Sequence, residues 1–277
     1  MAAYLLALFY KKGKAVKKTK QCLIQGYQKK NTMTKMKKKV CVDMELSKRL
    51  QTVADFVTQK TVADIGTDHG YVPIYLHKKG VAEKIIACDI NKKPLEKARE
   101  NIQRANAQNV ILTRLGNGLE PIRPQEVQSI VIAGMGGMLM ISLLENAPHV
   151  VQTVNELVLC PHLDVAKVRK YVQKIGFYIA EEKMILEEGK YYTILHMLRG
   201  KEAYEKEIEY IFGKILLQRR DTVLKQYLKK EKIRLEKIER ALYETQTEQS
   251  KLRLQQIQKQ KRNIKEAEKW LYCAEKL

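Results

Sequence analysis

The sequence contains no CxxC pair, no GxGxxG glycine pattern, and only 1 Trp and 4 Phe in 277 residues. No apolar run reaches the roughly 20 residues that a helix needs to cross a bilayer, so a membrane span is not expected. The five cysteines (Cys22, Cys41, Cys88, Cys160 and Cys273) are odd in number, and Cys88 and Cys160 sit in or at the end of apolar runs. Such usage fits reduced, buried thiols in a cytoplasmic protein rather than a disulfide frame or a zinc site, and no metal is expected. A secretory leader is not recognisable: in MAAYLLALFY the lysines follow the apolar run, whereas a leader has charge first. Acidic residues are scarce, 31 against 52 basic ones, for a formal charge of +21.

What is present is unevenly spread. Residues 1–43 carry +11, residues 44–200 carry +3 and residues 201–277 carry +7. A nearly neutral middle suits a small-molecule site, and basic flanks suit a polyanion such as nucleic acid. The first 43 residues show no helical or strand period, and organised sequence begins at Met44. They are expected to lie outside the fold as a disordered basic tail. Either they form an RNA-contacting arm or they are translated upstream sequence, with the true start at Met44; the absence of any motif favours the second.

From Leu46 the chain alternates. Leu46, Leu50, Val53, Ala54 and Val57 fall at helical spacing. Then come strand-like runs TVADI, KIIACD, NVILTRL, SIVIAG and ELVLC, separated by helical stretches, and finally two strands around Glu187-Glu188-Gly189-Lys190 that read as a hairpin. Continuously apolar strands between helices predict an α/β fold with a parallel sheet covered on both faces. Ligands of such sheets bind beyond the carboxyl ends of the strands, where the topology reverses. The chemistry is therefore expected at residues 64–70, 89, 116–118 and 134–137.

The first of these ends, Asp64-Ile65-Gly66-Thr67-Asp68-His69-Gly70, would repel a pyrophosphate through Asp68 but not a ligand with a positive centre. Asp89 ends the second strand, where a carboxylate can accept from both hydroxyls of a ribose. Gly116-Asn117-Gly118 is a tight turn whose amide side chain can read a purine edge. Gly134-Met135-Gly136-Gly137 lets backbone approach something flat. A phosphate-free nucleoside bearing a cation fits these features, which points to S-adenosyl-L-methionine: ribose at Asp89, adenine at Asn117, amino-acid end at the Gly66 turn.

Residues 44–277 resemble the bacterial tRNA (adenine(22)-N1)-methyltransferase family (TrmK) in LSKRLQTVADFV, VADIGTDHGYVP, GNGLEPI, IAGMGG, LEEGKYYTIL and the helical tail. The resemblance implies a class I Rossmann-like methyltransferase domain over 44–200 and a C-terminal antiparallel helical coiled-coil domain over 201–277. It further implies methyl transfer to N1 of one tRNA adenine. The cofactor-binding set is then Asp64, Gly66, His69, Gly70, Asp89, Asn117, Gly118, Gly134, Met135 and Gly136. Asp68 has two readings from the residues alone, an N-terminal helix cap or a carboxylate that stabilises charge on the methylated base; the resemblance favours catalysis. The chain departs from the family at two places: Asn117 stands where an aspartate is usual, and Cys160-Pro161-His162 replaces Gln-Pro-Asn.

In the tail, Leu224, Leu228, Leu235, Ile238 and Leu242 form one stripe, and Leu254, Ile257, Ile264, Ala267 and Leu271 another. Two antiparallel helices joined near 244–249 would bury both, within a monomer. Arg219, Arg220, Lys229, Lys230, Lys259, Lys261 and Arg262 mark this pair as the tRNA-binding part. Competing readings are a methyltransferase on another RNA base or a small molecule, or an RNA-binding protein that keeps the fold without catalysis. An NAD-dependent oxidoreductase is disfavoured by Asp68 and by the missing third glycine.

Overall fold

The structure is a computed structural model and describes residues 46–244 and 247–272. The expected basic tail over 1–43, together with Cys22, Cys41 and Cys273, lies outside the described residues. The helix α1 (Lys48–Asp55) opens on Ser47, whose Oγ accepts from the Leu50 amide at 3.3 Å. Of the stripe read from the helical spacing, Val53, Ala54 and Val57 are buried while Leu46 and Leu50 are half-buried, and Thr52 joins the buried face. Seven strands follow with interleaved helices. They are β1 (Thr61–Ile65), α2 (Tyr71–Lys78), β2 (Lys84–Asp89), α3 (Lys92–Arg104), β3 (Ile111–Leu115) and β4 (Ser129–Met135). Next come α4 (Gly137–Glu145), α5 (Pro148–Val151), β5 (Glu156–Pro161), α6 (Val165–Lys174), β6 (Phe177–Glu187) and β7 (Lys190–Arg199).

The strands form one sheet in the order β3-β2-β1-β4-β5-β7-β6. The first five are parallel, and β7 runs antiparallel to both β5 and β6. The central strands are buried on both faces: Val62, Ala63, Ile85, Ile86, Ile130, Val131, Ile132, Val158 and Leu159 are all within a few per cent of zero exposure. That is why they read as unbroken apolar runs. The chain leaves β1 towards β2 and β3 on one side and places β4 and β5 on the other. The reversal therefore falls between β1 and β4, where such sheets bind their ligands.

Beyond β7 the backbone widens into a short π-helical turn (Glu209–Gly213), then α7 (Lys214–Gln218), α8 (Thr222–Tyr243) and α9 (Glu248–Tyr272). Asp221 caps α8 by accepting from the Leu224 amide at 2.8 Å. The helices α8 and α9 lie antiparallel, with Lys232 paired to Glu268 at 3.2 Å and Lys261 to Glu239 at 2.6 Å. Leu224, Leu228 and Leu235 on one and Ile257, Ile264, Ala267 and Leu271 on the other share a core with Met184, Ile208, Phe212, Leu216 and Leu217. The helical pair thus continues into the hairpin end of the sheet.

Candidate active site

A cavity of about 530 Å³ opens at the carboxyl ends of β1, β2, β3 and β4, a size typical of small-molecule sites. Local backbone chemistry shapes it. After β1 the chain must reverse over the sheet edge, and Gly66, Asp68 and Gly70 all adopt positive φ, at +72°, +52° and +74°. Aspartate is among the few residues with a side chain that enter this region readily. The amides of Gly66 and Thr67 both donate to the Cys88 carbonyl at 2.9 Å, tying the loop to β2. Asp89 completes the tie: its Oδ2 accepts from the Asp68 amide at 3.1 Å and its Oδ1 from the Asn91 amide at 2.8 Å. Each oxygen keeps a second lone pair for a ligand.

Of the residues singled out in the sequence, Asp64, Gly66, Asp68, Asp89, Asn117, Gly118, Gly134 and Met135 line this one cavity. They come from four separate strand ends. His69, Gly70 and Gly136 do not line it. The His69 ring faces outward, stacked on Tyr71 with centroids 5.5 Å apart, and its Nδ1 lies 2.8 Å from Asp68 Oδ2. Gly70 serves packing instead: a Cβ there would meet the Ala98 methyl at 3.3 Å, so its bareness lets α2 approach α3. Gly136 faces open space. The helix-cap reading of Asp68 is not realised either. The N-cap of α2 is Gly70, no side chain caps that helix, and the Asp68 carboxylate is two-thirds exposed beside His69.

The wall also carries Tyr71 from the VADIGTDHGYVP stretch and His162 from the Cys160-Pro161-His162 loop, together with residues given no role beforehand: Arg49 from α1, Ile90 after β2, and Leu139 and Leu143 from α4. Ile90 and Leu139 are more than half exposed, an apolar lip at a polar site. Of these last four, Arg49 lies within a stretch the sequence made conspicuous, LSKRL. The His162 amide donates to the Met135 carbonyl at 2.9 Å, which fixes β5's exit against β4's. Burial, helped by the charges of Arg49 and Lys190, holds the His162 ring below its usual pKa, so it is neutral at physiological pH.

Electrostatically the cavity is acidic. Asp64 is buried, and desolvation, with a further contribution from Asp89, pushes its carboxyl up to about 6. Asp64, Asp68 and Asp89 together disfavour a diphosphate and favour a cation. The glycine turns at 66, 118 and 134 bring backbone to the cavity wall, with the Cβ positions of Gly66 and Gly118 taken up by Met135 and Leu143. The residues present therefore fit a cationic nucleoside. Among the described residues no cluster of three or more metal-ligating side chains occurs.

Comparison with known proteins agrees with this geometry. A family model described as a methyltransferase domain matches residues 46–195. Streptococcus pneumoniae Sp1610, described as a candidate tRNA (m1A22) methyltransferase, is 32% identical; its structure matches with a TM-score of 0.73 over 82% of this chain and 100% of that one. The chain belongs to the TrmK methyltransferase family. A second family member, Mycoplasma capricolum TrmK, solved with S-adenosyl-homocysteine, is 28% identical with a TM-score of 0.73, covering 82% of this chain and 99% of that one. The Bacillus subtilis tRNA (adenine(22)-N(1))-methyltransferase is 35% identical over 154 residues, 55% of this chain. That match spans 65% of the relative's length, a little under two thirds. The family's seven-stranded Rossmann-like sheet and C-terminal helices are those described above.

Proposed function

We propose that the protein transfers a methyl group from S-adenosyl-L-methionine to N1 of an adenine in tRNA, adenosine 22. The observation that carries this reading is the acidic, phosphate-averse cavity at the β1–β4 switch, in a chain of the TrmK family. When bound, the cofactor supplies an electrophilic methyl on a sulfonium, so C–S cleavage leaves a neutral thioether as the N1–C bond forms. Adenine N1 attacks through an in-plane lone pair that is unprotonated at neutral pH, so the protein needs no strong base. What it must do is position the ring and balance the positive charge that develops on it.

Asp89 and Asn117 would hold the ribose and adenine of the cofactor, Asp64 its ammonium end, and the turns at Gly66, Gly118 and Gly134 its flat faces. Asp68 would meet the acceptor; in support, it lines the cavity, is solvent-facing, and lies 2.8 Å from His69 Nδ1. Its charge would stabilise the methylated ring. Tyr71, beside it, offers a surface for stacking. N1 is buried when adenine is paired, so the target nucleotide must be extruded, at an expense of a few kcal/mol. Residues 201–277 are read as the tRNA-binding part that meets this demand. The working form is read as a cytoplasmic monomer, which light scattering at enzyme-like concentration checks.

The test is incubation of purified protein with tRNA and labelled cofactor, followed by nucleoside analysis. N1-methyladenosine should appear at position 22. Methylation at another base would redirect the reading to the competing methyltransferase class, and no transfer with intact cofactor binding would favour a non-catalytic RNA-binding protein. An Asp68→Ala protein should bind cofactor normally and lose methyl transfer by roughly 100-fold or more. Full activity in that variant removes Asp68 from the mechanism.

A further inference from the structure

Leu163 is the most exposed large apolar side chain among the described residues, at 69%. The chain is pinned on both sides of it. Ahead of it, the His162 amide donates to the Met135 carbonyl at 2.9 Å. Its own carbonyl accepts from the Gly137 amide at 3.1 Å, and a Cβ at Gly137 would lie 2.5 Å from that oxygen. Behind it, Asp164 takes a left-handed φ of +56°, and the Asp164 carbonyl accepts from the Lys167 and Val168 amides at 2.9 and 3.1 Å, at the start of α6. The backbone around Leu163 is therefore committed to β4, α4 and α6, and its side chain is left in solvent.

The position of this side chain is specific. His162 lines the cavity, and the next Cα along the chain is only about 3.8 Å away. The bond to Gly137 sets Leu163 beside the first turn of α4, where Met138 and Leu139 are each about half exposed. Leu139 also lines the cavity. An apolar patch thus borders the cavity wall. The charges beside it favour a polyanion: the Asp164 carboxylate is paired with Lys167 at 2.9 Å, and the charges felt at His162 are those of Arg49 and Lys190. Three side chains are far fewer than the roughly 20 residues a side of a standard protein interface. Leucine and methionine are among the side chains that proteins insert between base steps, while cations nearby meet the phosphates.

We propose that Leu163, backed by Met138, is a wedge that enters the acceptor tRNA and fills the space left when the target adenine turns into the cavity. The assignment rests on the function proposed above and extends it: that reading requires an extruded base, and the wedge is what keeps the base from returning. Extrusion leaves a gap in the stack that the neighbouring bases would otherwise close. A branched apolar side chain fills such a gap without needing a hydrogen bond. Leu163 touches neither the cofactor nor the reacting atoms; it positions the base.

The test uses the full chain and two tRNAs that differ at one nucleotide. In the first the target adenine is paired; in the second its partner is an abasic site, so that no pair has to open. Leu163→Ala should lower kcat/KM roughly 10- to 100-fold on the first tRNA and less than about threefold on the second. Its melting temperature and its calorimetric affinity for S-adenosyl-homocysteine should stay at the wild-type values, and Leu163→Met should keep most of the activity on both tRNAs. With 2-aminopurine in place of the target adenine, wild-type protein should brighten the probe on binding, and Leu163→Ala should bind without brightening it. Equal losses on the two tRNAs overturn the proposal in favour of an ordinary acceptor contact, and unchanged activity of Leu163→Ala on the paired tRNA overturns it outright. A wild-type dimer in light scattering that Leu163→Asp dissociates overturns it in favour of a second copy of this chain. Wild-type protein that methylates neither tRNA would sink the underlying function, whereas active wild type with an indifferent Leu163→Ala sinks only the wedge.

Discussion

At the scale of single residues, Asp64 has the sharpest consequence. Its carboxyl is raised from 3.8 to about 6, first by burial and then by the charge of Asp89. For a group whose folded pKa exceeds its unfolded one, the contribution to stability is full below pH 3.8 and is lost as pH rises through about 6. A rise of about two units corresponds to roughly 3 kcal/mol at most. In the absence of ligand, wild-type protein should therefore lose up to about this much stability, relative to Asp64→Asn, between about pH 4 and pH 7. Urea unfolding of both proteins across that range measures the difference; parallel curves would mean Asp64 is solvated in the working protein. Cofactor affinity should move the opposite way. Asp64 must be ionised to meet an ammonium, so S-adenosyl-homocysteine binding should weaken as pH falls below about 6, and binding near that pH should release a proton. Calorimetry in buffers of different ionisation enthalpy detects that proton directly.

Among the elements, the junction between sheet and helices is the most constrained. Glu182 on β6 is fully buried and accepts from Arg169 of α6 at 2.8 and 3.1 Å, and from the amides of Ile215 and Leu216 at 3.0 and 3.4 Å. Arg169 in turn donates to the carbonyls of Tyr210 and Ile211 at 2.7 and 3.2 Å. Those two carbonyls belong to the π-turn, so this ion pair satisfies backbone that a regular α-helix would pair internally. Gly213 closes the turn at φ +98°, and a Cβ there would sit 2.4 Å from Glu182 Oε1. Gly213→Ala should thus cost at least about 2 kcal/mol from strain and displacement of the carboxylate. Glu182→Ala, which strands a buried guanidinium, should cost roughly 3–5 kcal/mol. Chemical denaturation reads both, and a Gly213→Ala protein of wild-type stability would show that the turn relaxes freely. None of this junction was legible beforehand. Arg169 and Glu182 lie on different elements and look like ordinary surface charges, and no short pattern announces a π-turn. The strand and helix order was legible because each central strand is buried on both faces and so apolar throughout. The same holds for the α8 and α9 stripes, whose 3–4 spacing has one physical use. In the site, the acidic and glycine-rich strand ends were visible because they interrupt apolar runs. Arg49 and Leu139 were not, because each reaches the cavity from an element whose own pattern says only helix. His69 and Gly70 entered the cofactor set through the family resemblance; beyond the left-handed turn at Asp68, the His69 ring stacks on Tyr71 and Gly70 packs against Ala98 of α3.

For the whole molecule, the question is how a charge of +21 is spent. Several of the cations expected to grip tRNA already have local partners. Arg219 is paired with Glu181, Lys259 with Glu207 at 3.2 Å and Lys261 with Glu239 at 2.6 Å, while Lys230 donates to the Gly189 carbonyl at 3.1 Å. A cation that must leave a carboxylate to meet a phosphate releases fewer net counterions than one that starts in solvent. Lys229 and Arg262 are exposed to solvent on α8 and α9. If the helical pair binds tRNA through its phosphates, affinity should fall steeply with salt. Replacing Lys229 or Arg262 by alanine should then lower the slope of log K against log salt by nearly 1 each. Lys261→Ala should change it less, because Glu239 already neutralises that side chain. Filter binding of tRNA over a salt series, with each single variant, measures the slopes. Equal slopes for all variants would mean that the tRNA contacts lie on another face of the molecule, and that α8 and α9 serve the fold rather than the substrate.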